Sequence, residues 1–161
     1  SSPIVTTTVA VTRNADVLSY ATAGNFLGTS GSAYLEVSGV PVATTGTQTD
    51  LLMGTSYPMY MQGTGALALF DGAQRQLSNA FAISQTAVTK LATSWGGAAA
   101  NGFVSGALGA TSPAAFDGDL NLGATMYVAG NSSNQLFGTI RGVRVWGVAR
   151  STAYLQAKTA A

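Results

Sequence analysis

Apolar positions along this chain come in short alternating runs separated by glycine- and asparagine-rich breaks, a spacing of about 8–12 residues that predicts many short strands. Ile4 to Val11 is a Thr/Val run whose β-branched density favours an extended strand. Arg13-Asn14 reads as a turn and Ala15 to Tyr20 as a second strand. Ala23-Gly24-Asn25 and Gly28 to Ser32 read as loops. Ala33 to Val40 follows as a strand ended by Pro41, with Tyr34 and Glu36 on one parity and Leu35 and Val37 on the other.

Ala43 to Thr49 is polar, and Leu51-Leu52-Met53 resumes the core before Gly54. Tyr57 to Met61 is a strand whose alternation puts Tyr57, Met59 and Met61 on one face, packing filler in preference to a Met-rich binding surface. Gly63-Thr64-Gly65 and Asp71-Gly72 are hairpin turns on either side of Ala66 to Phe70. Gln74 to Thr86 carries isolated Leu77, Phe81 and Ile83 and no clear period. Val88 to Trp95 is a strand with Leu91 and Trp95 on the same parity, and Asn101-Gly102 is a turn signal before Phe103. Leu120 and Leu122 alternate with Asn121, Met126 to Val128 adds a short strand, and Asn131 to Asn134 is the last loop.

The closing segment, Gln135 to Lys158, organises the rest. Leu136, Phe137, Ile140, Val143, Val145 and Trp146 form a β-rich run interrupted by Gly138 and Gly142. Ile140 lies on one parity and Val143 and Val145 on the other, so a flat strand would send one set to solvent. Gly142 is therefore read as a bulge or close-contact site that restores the inward face. Arg141 and Arg144 read as charged gatekeepers on this strand rather than ligand contacts. Ser151 is an N-cap for a short helix, Tyr154 and Leu155 give it an apolar face, and Lys158 complements its last turn. The helix is expected to plug an open end of the fold.

With 161 residues, 47% of them hydrophobic, the chain is expected to be one domain, 1–161, able to bury a sizeable core. No apolar run approaches the roughly 18 residues of a membrane helix. Only 8% of residues are charged, against about 25% in an ordinary domain. So neutral a surface predicts cover by Ser, Thr, Asn and Gly, or burial in a homo-oligomer or larger assembly. The net charge is +1 and the seven basic residues are scattered along the sequence, which argues against nucleic acid and membrane as partners. Cysteine is absent, so packing must supply the stability. No signal peptide is read at Ser1-Ser2-Pro3, taken as a cut chain or one whose initiator Met was removed, with further domains before Ser1 left open.

The order of signals from Thr12 to Thr159 resembles the concanavalin A-like lectin/glucanase jelly roll, in particular the lectin-like, laminin G-like modules of bacteriophage virion proteins. TRNADVLSY and SAYLEV look like the family's first core strands, and LLMG at Leu51 to Gly54 stands at its Leu-rich strand. VTKLATSW precedes the turn where the family often has Asn-Gly, here Asn101-Gly102. LNLG, QLFGTIRGVRVW and ARSTAYLQAKTA look like its ending. The resemblance implies an all-β antiparallel sandwich with one short C-terminal helix. It implies a module on the virion surface, among other virion subunits and in reach of host-surface glycan.

The chemistry is narrowed by what is missing. The chain has no histidine and no cysteine, which excludes Ser-His-Asp and Cys-His catalysis and His- or Cys-based metal sites. Glycosidases of the resembling fold use paired glutamates on one strand, whereas Glu36 is the single glutamate here. Asp16, Asp50, Asp71, Asp117 and Asp119 are the other carboxylates. Asp117-Gly118-Asp119-Leu120-Asn121 places oxygen ligands at alternate positions, as a calcium loop does, but also as a turn entering a strand does. No catalytic residue, metal or cofactor is assigned. For sugar binding, Tyr57, Tyr60, Trp95, Tyr127 and Trp146 are the aromatic candidates, with Trp95 and Trp146 read first as packing residues. The expected function is non-catalytic adhesion to host-surface carbohydrate. The alternatives are a structural decoration or cement protein without glycan binding and, least favoured, a glycoside hydrolase.

Overall fold

In the computed structural model, residues 18–38, 48–84, 86–128 and 139–160 are described. The predicted strand Ile4 to Val11, the Arg13-Asn14 turn, Pro41, the Asn131–Asn134 loop and Gln135 to Gly138 lie outside the described residues. Apolar residues at alternate positions give each strand one face to bury, and two such layers satisfy each other. The first sheet has six strands in the order β1, β11, β3, β4, β5, β6. They span Leu18–Ala21 (β1), Thr125–Val128 (β11), Thr49–Met53 (β3), Tyr57–Met61 (β4), Ala66–Phe70 (β5) and Gln74–Ala80 (β6). The second sheet runs Ala114–Ala115 (β10), Ala99–Val104 (β8), Thr89–Gly96 (β7), Ser30–Ser38 (β2) and Thr139–Trp146 (β12), with Ala107–Leu108 (β9) beside β8. Every ladder is antiparallel, and helix α1, Thr152–Ala160, ends the chain. The protein is an antiparallel β-sandwich with one short C-terminal helix, as the pattern predicts.

The core between the sheets takes Leu35 and Val37 of β2, Leu91 and Trp95 of β7, Leu52 of β3, Met59 and Met61 of β4, and Leu67 and Leu69 of β5. Two contacts bind the layers beyond apolar burial. Thr93 Oγ1 donates to the Pro58 carbonyl oxygen across the sandwich at 2.9 Å. The Trp95 indole N–H donates to the Leu27 carbonyl oxygen at 3.0 Å, which satisfies the polar handle of a ring otherwise sunk in the core. Strand β2 starts at Ser30, inside the segment predicted as loop, because Gly31 lies flat under that ring. A Cβ there would fall 2.4 Å from an indole carbon.

Asn101-Gly102 is not a turn. Both residues lie within β8, and the hairpin reverses earlier, at Gly97, whose φ is 61°. Gly102 is needed for a different reason: a Cβ on it would stand 2.5 Å from the Leu77 Cβ, so its absence lets β8 approach β6. The undecided Gln74 to Thr86 stretch contains β6, an edge strand whose Leu77 is the buried anchor.

The bulge predicted in the closing strand is present. Ile140 pairs with Val37 and Gly142 with Glu36, leaving Arg141 as the extra residue. Ile140, Val143 and Val145 then all pack on the core despite their unlike parity. Arg141 and Arg144 are exposed on this edge strand. The Ser151 hydroxyl accepts from the Tyr154 N–H at 3.3 Å, capping α1. The helix does not plug an open end. Its Leu155 is buried against Tyr34, Ala92 and Phe103, so α1 lies on the outer face of the second sheet, covering apolar residues that the alternation turns away from the core.

One ion pair pins the loops at the other end. The Arg75 Nε donates to both Asp71 carboxylate oxygens at 2.9 Å, and the Ala73 and Asp117 N–H groups donate to them at 3.1 Å. Burial alone would raise the Asp71 pKa, but these donors outweigh it and hold the carboxyl below the usual carboxylate range. The folded pKa lies below the unfolded value of about 3.9, so the stabilisation is complete above that value and fades as pH falls through the folded pKa. Asp71→Asn is expected to lower stability to urea by about 1–3 kcal/mol at neutral pH and to flatten the acid limb of the stability profile. Equal loss of stability in wild type and variant below pH 4 would contradict this assignment.

Candidate functional site

The outer face of the first sheet gathers the residues with sugar-compatible chemistry. Alternation alone would put Tyr57 with Met59 and Met61. Instead β4 is bulged between Tyr57 and Tyr60, where Pro58 has no N–H for the ladder. Met59 and Met61 stay in the core, as expected for packing filler, while Tyr57 turns to the outer side with Tyr60. The two rings sit 5.8 Å apart, and Tyr57 meets Phe70 edge-on at 5.7 Å and 74°. Tyr57 and Phe70 are half-buried, and Tyr60 is buried between its neighbours.

Amides frame these rings. Gln74 pairs with Phe70 and Gln76 with Ala68 across β5 and β6, and both glutamines are exposed. The Tyr60 hydroxyl lies beside the side-chain amides of Gln74 and Gln62. Burial pushes the Tyr60 phenol above its ordinary range, against the pull of those two amides. Gln62 in turn accepts from Thr64 Oγ1 at 3.1 Å, and Gln76 Nε2 donates to the Ser78 carbonyl oxygen at 2.9 Å. Asp50, paired with Tyr60 across β3 and β4, accepts from Gln48 Nε2. With the Asp50 carboxylate buried, the outcome is a face whose exposed part, among the described residues, is neutral and alternates aromatic edges with amides.

The other aromatic candidates separate. Trp95 is core. Tyr127 is on the first sheet, opposite Met53, with β3 between its strand and β4. Trp146 lies on the second sheet's outer face, half-buried, with Tyr154 edge-on at 5.8 Å and the Arg150 guanidinium over both rings. The sequence brings Tyr57 and Tyr60 into view but misses Phe70, Gln62, Gln74 and Gln76. Phe70 and the glutamines share no spacing with the tyrosines, and only the ladder pairing of β4, β5 and β6 makes them neighbours.

The carboxylates do not assemble. Glu36 is on the second sheet, where its Oε1 accepts from the Tyr34 hydroxyl at 2.6 Å. Asp71 is engaged as described. Asp117 Oδ1 accepts the Asp119 N–H at 3.1 Å, an Asx turn in an exposed loop. Among the described residues no three acidic, His or Cys side chains converge on a metal-sized space. Asp16 lies outside the described residues.

No family model and no curated protein matches this chain. Its fold does match solved structures. The CBM40 carbohydrate-binding module of the Ruminococcus gnavus IT-sialidase, bound to α2,6-sialyllactose, superposes with a TM-score of 0.61 at 15% identity, covering 89% of this chain and 93% of that one. A Bacteroides ovatus structure gives 0.63 at 16% identity, covering 87% and 43%. The Trypanosoma rangeli sialidase gives 0.58 at 9% identity, with 81% of this chain matching 22% of that one. At these identities the likeness establishes the β-sandwich fold.

Tyr60→Phe removes the hydroxyl of a buried ring beside the Gln62 and Gln74 amides. Its expected cost is about 1–3 kcal/mol in urea unfolding, with the native circular dichroism spectrum retained. A neutral effect would show that the Tyr60 hydroxyl does not order this face.

Proposed function

We propose that this protein is a non-catalytic carbohydrate-binding module whose ligand lies along Tyr57 and Phe70 on the outer face of the first sheet. The observation that carries this reading is the pairing of two partly exposed rings, Tyr57 and Phe70, with the exposed amides of Gln74 and Gln76. A sugar presents C–H surface that favours an aromatic face and hydroxyls that need both donors and acceptors, and a glutamine amide offers both. Buried Tyr60, Gln62 and Asp50 hold the face in shape, so little ordering entropy is lost on binding. The neighbouring CBM40 fold, solved with sialyllactose, supports a sandwich in this role. Hydrolysis would need two carboxylates flanking one bond, and the described carboxylates are dispersed over both sheets and a loop.

The finer reading places the module on a bacteriophage particle, as part of a homo-oligomer or among other virion subunits, adhering to host-surface glycan. It is supported by the resemblance of the closing segment and by the sparsely charged composition. A cement role without glycan is favoured by a different feature: Leu27 and Val148 are 53% and 54% exposed at one end, where Leu27 lies against Gly147. Copurification with capsids and particle fragility in the protein's absence would support that role.

On a glycan array the protein is expected to retain neutral oligosaccharides without releasing reducing sugar. Tyr57→Ala and Phe70→Ala are each expected to weaken the bound glycan by about tenfold, about 1.4 kcal/mol, with folding intact. Full retention by both variants, or turnover of any array polysaccharide, would overturn the reading.

A further inference from the structure

Scattered in the sequence, the basic residues are gathered by the fold. The chain has seven Lys and Arg. Arg75 is committed to Asp71, and Arg13 lies outside the described residues. Of the remaining five, Lys90, Arg141 and Arg144 fall on the second sheet, Lys158 on the helix that covers it, and Arg150 on the segment between β12 and that helix. Lys90 and Arg144 stand on the outer face, opposite Glu36 and Tyr34. Lys158 places its ammonium over the Tyr34 ring at 5.4 Å. Arg150 joins the Trp146 corner, and Arg141 is the bulge residue of the adjacent edge strand. Glu36 is the only acid on this face among the described residues, and none of the five cations forms an ion pair with a described residue.

Arg150 is the most prepared of them. Its guanidinium carbon lies 5.6 Å from the Trp146 ring centroid and 5.4 Å from that of Tyr154. Its backbone is fixed as well: the Arg150 N–H donates to Ser32 Oγ at 2.8 Å, and the Ala149 N–H donates to Ser30 Oγ at 3.1 Å. The two rings hold the guanidinium by cation–π attraction, and no described residue accepts from its N–H donors. An exposed planar fork, held in place with its donors uncommitted to any described residue, matches a carboxylate bidentately.

We infer that the Arg150–Trp146–Tyr154 corner, with the cations beside it, is a second binding surface that takes a carboxylate-bearing polysaccharide of the uronate type. Arg150 clamps a carboxylate, the aromatic edges meet the C–H surface of the same or the next sugar, and Arg144 and Lys158 attract the following charges. Nucleic acid fits less well. Duplex DNA carries one negative charge per about 1.7 Å, whereas these cations are spread across a sheet with Glu36 among them. The surface is on the opposite side of the sandwich from Tyr57 and Phe70, so the inference stands independently of that site.

The test is titration of the intact chain with oligogalacturonate at low and high salt, with dextran and duplex DNA in parallel. Oligogalacturonate is expected to bind, to weaken as salt rises, and to exceed both controls. Arg150→Ala is expected to lose about tenfold in affinity, and Arg150→Lys to weaken it too, because the charge remains but the fork is gone. Tyr57→Ala should leave this binding unchanged. Absence of oligogalacturonate binding at low salt, tighter binding to DNA, or an Arg150→Lys variant equal to wild type would each overturn the inference, provided near-UV circular dichroism shows the variants folded.

Discussion

Strand β2 is covered on both faces, and the rest of the molecule is arranged around that constraint. Leu35 and Val37 point into the sandwich while Tyr34 points away from it, yet all three are buried. Period-two alternation makes this demanding, because a slip of one residue in any partner exchanges its inner and outer sets. On one side β7 matches β2 without interruption from Ser30–Gly96 to Val37–Thr89. On the other, β12 stays in register only by setting Arg141 aside. The same choice turns Trp146 outward, where the helix and Arg150 meet it. The position of the second binding surface is thus a consequence of one extra residue in an edge strand.

Close backbone approach is the second condition. Gly31 under Trp95 and Gly102 against Leu77 let the layers come together where a methyl group would hold them apart. Long irregular segments then seal the ends. Leu120 and Leu122 are buried as their alternation suggests, although they form no ladder. They are held by main-chain bonds from the Leu120 N–H to Gly28 and from Thr55 to Leu122.

Much of this was legible in the residues themselves. The alternation of Leu35 and Val37 against Tyr34, the inward parity of Leu91 and Trp95, the turns at Gly63–Gly65 and Asp71-Gly72, the need for a bulge beside Gly142 and the Ser151 cap all follow from local chemistry. What was not legible depended on pairing between distant strands. Asn101-Gly102 has turn composition, but its glycine answers to Leu77 across the sandwich. Leu155 shows that α1 has an apolar side without showing which surface receives it. The Tyr57 face was half visible, because a bulge at Pro58 separates Tyr57 from the methionines and only the ladder adds Phe70 and the glutamines. The charge distribution was invisible, since Arg144 and Lys158 are far from Tyr34 in sequence and meet around it only after folding.

The two outer surfaces therefore carry different chemistry: neutral aromatic and amide groups on one, guanidinium and ammonium groups with aromatic edges on the other. The double layer of strands between them keeps the two surfaces apart. The most direct test of the central claim, sugar recognition by the neutral face, is backbone amide shift mapping on the isotope-labelled protein during titration with a neutral oligosaccharide. The account predicts saturable shifts confined to β4, β5 and β6 around Tyr57, Phe70 and Gln74. Shifts confined to β12 and α1, or none at all with any neutral oligosaccharide, would contradict it.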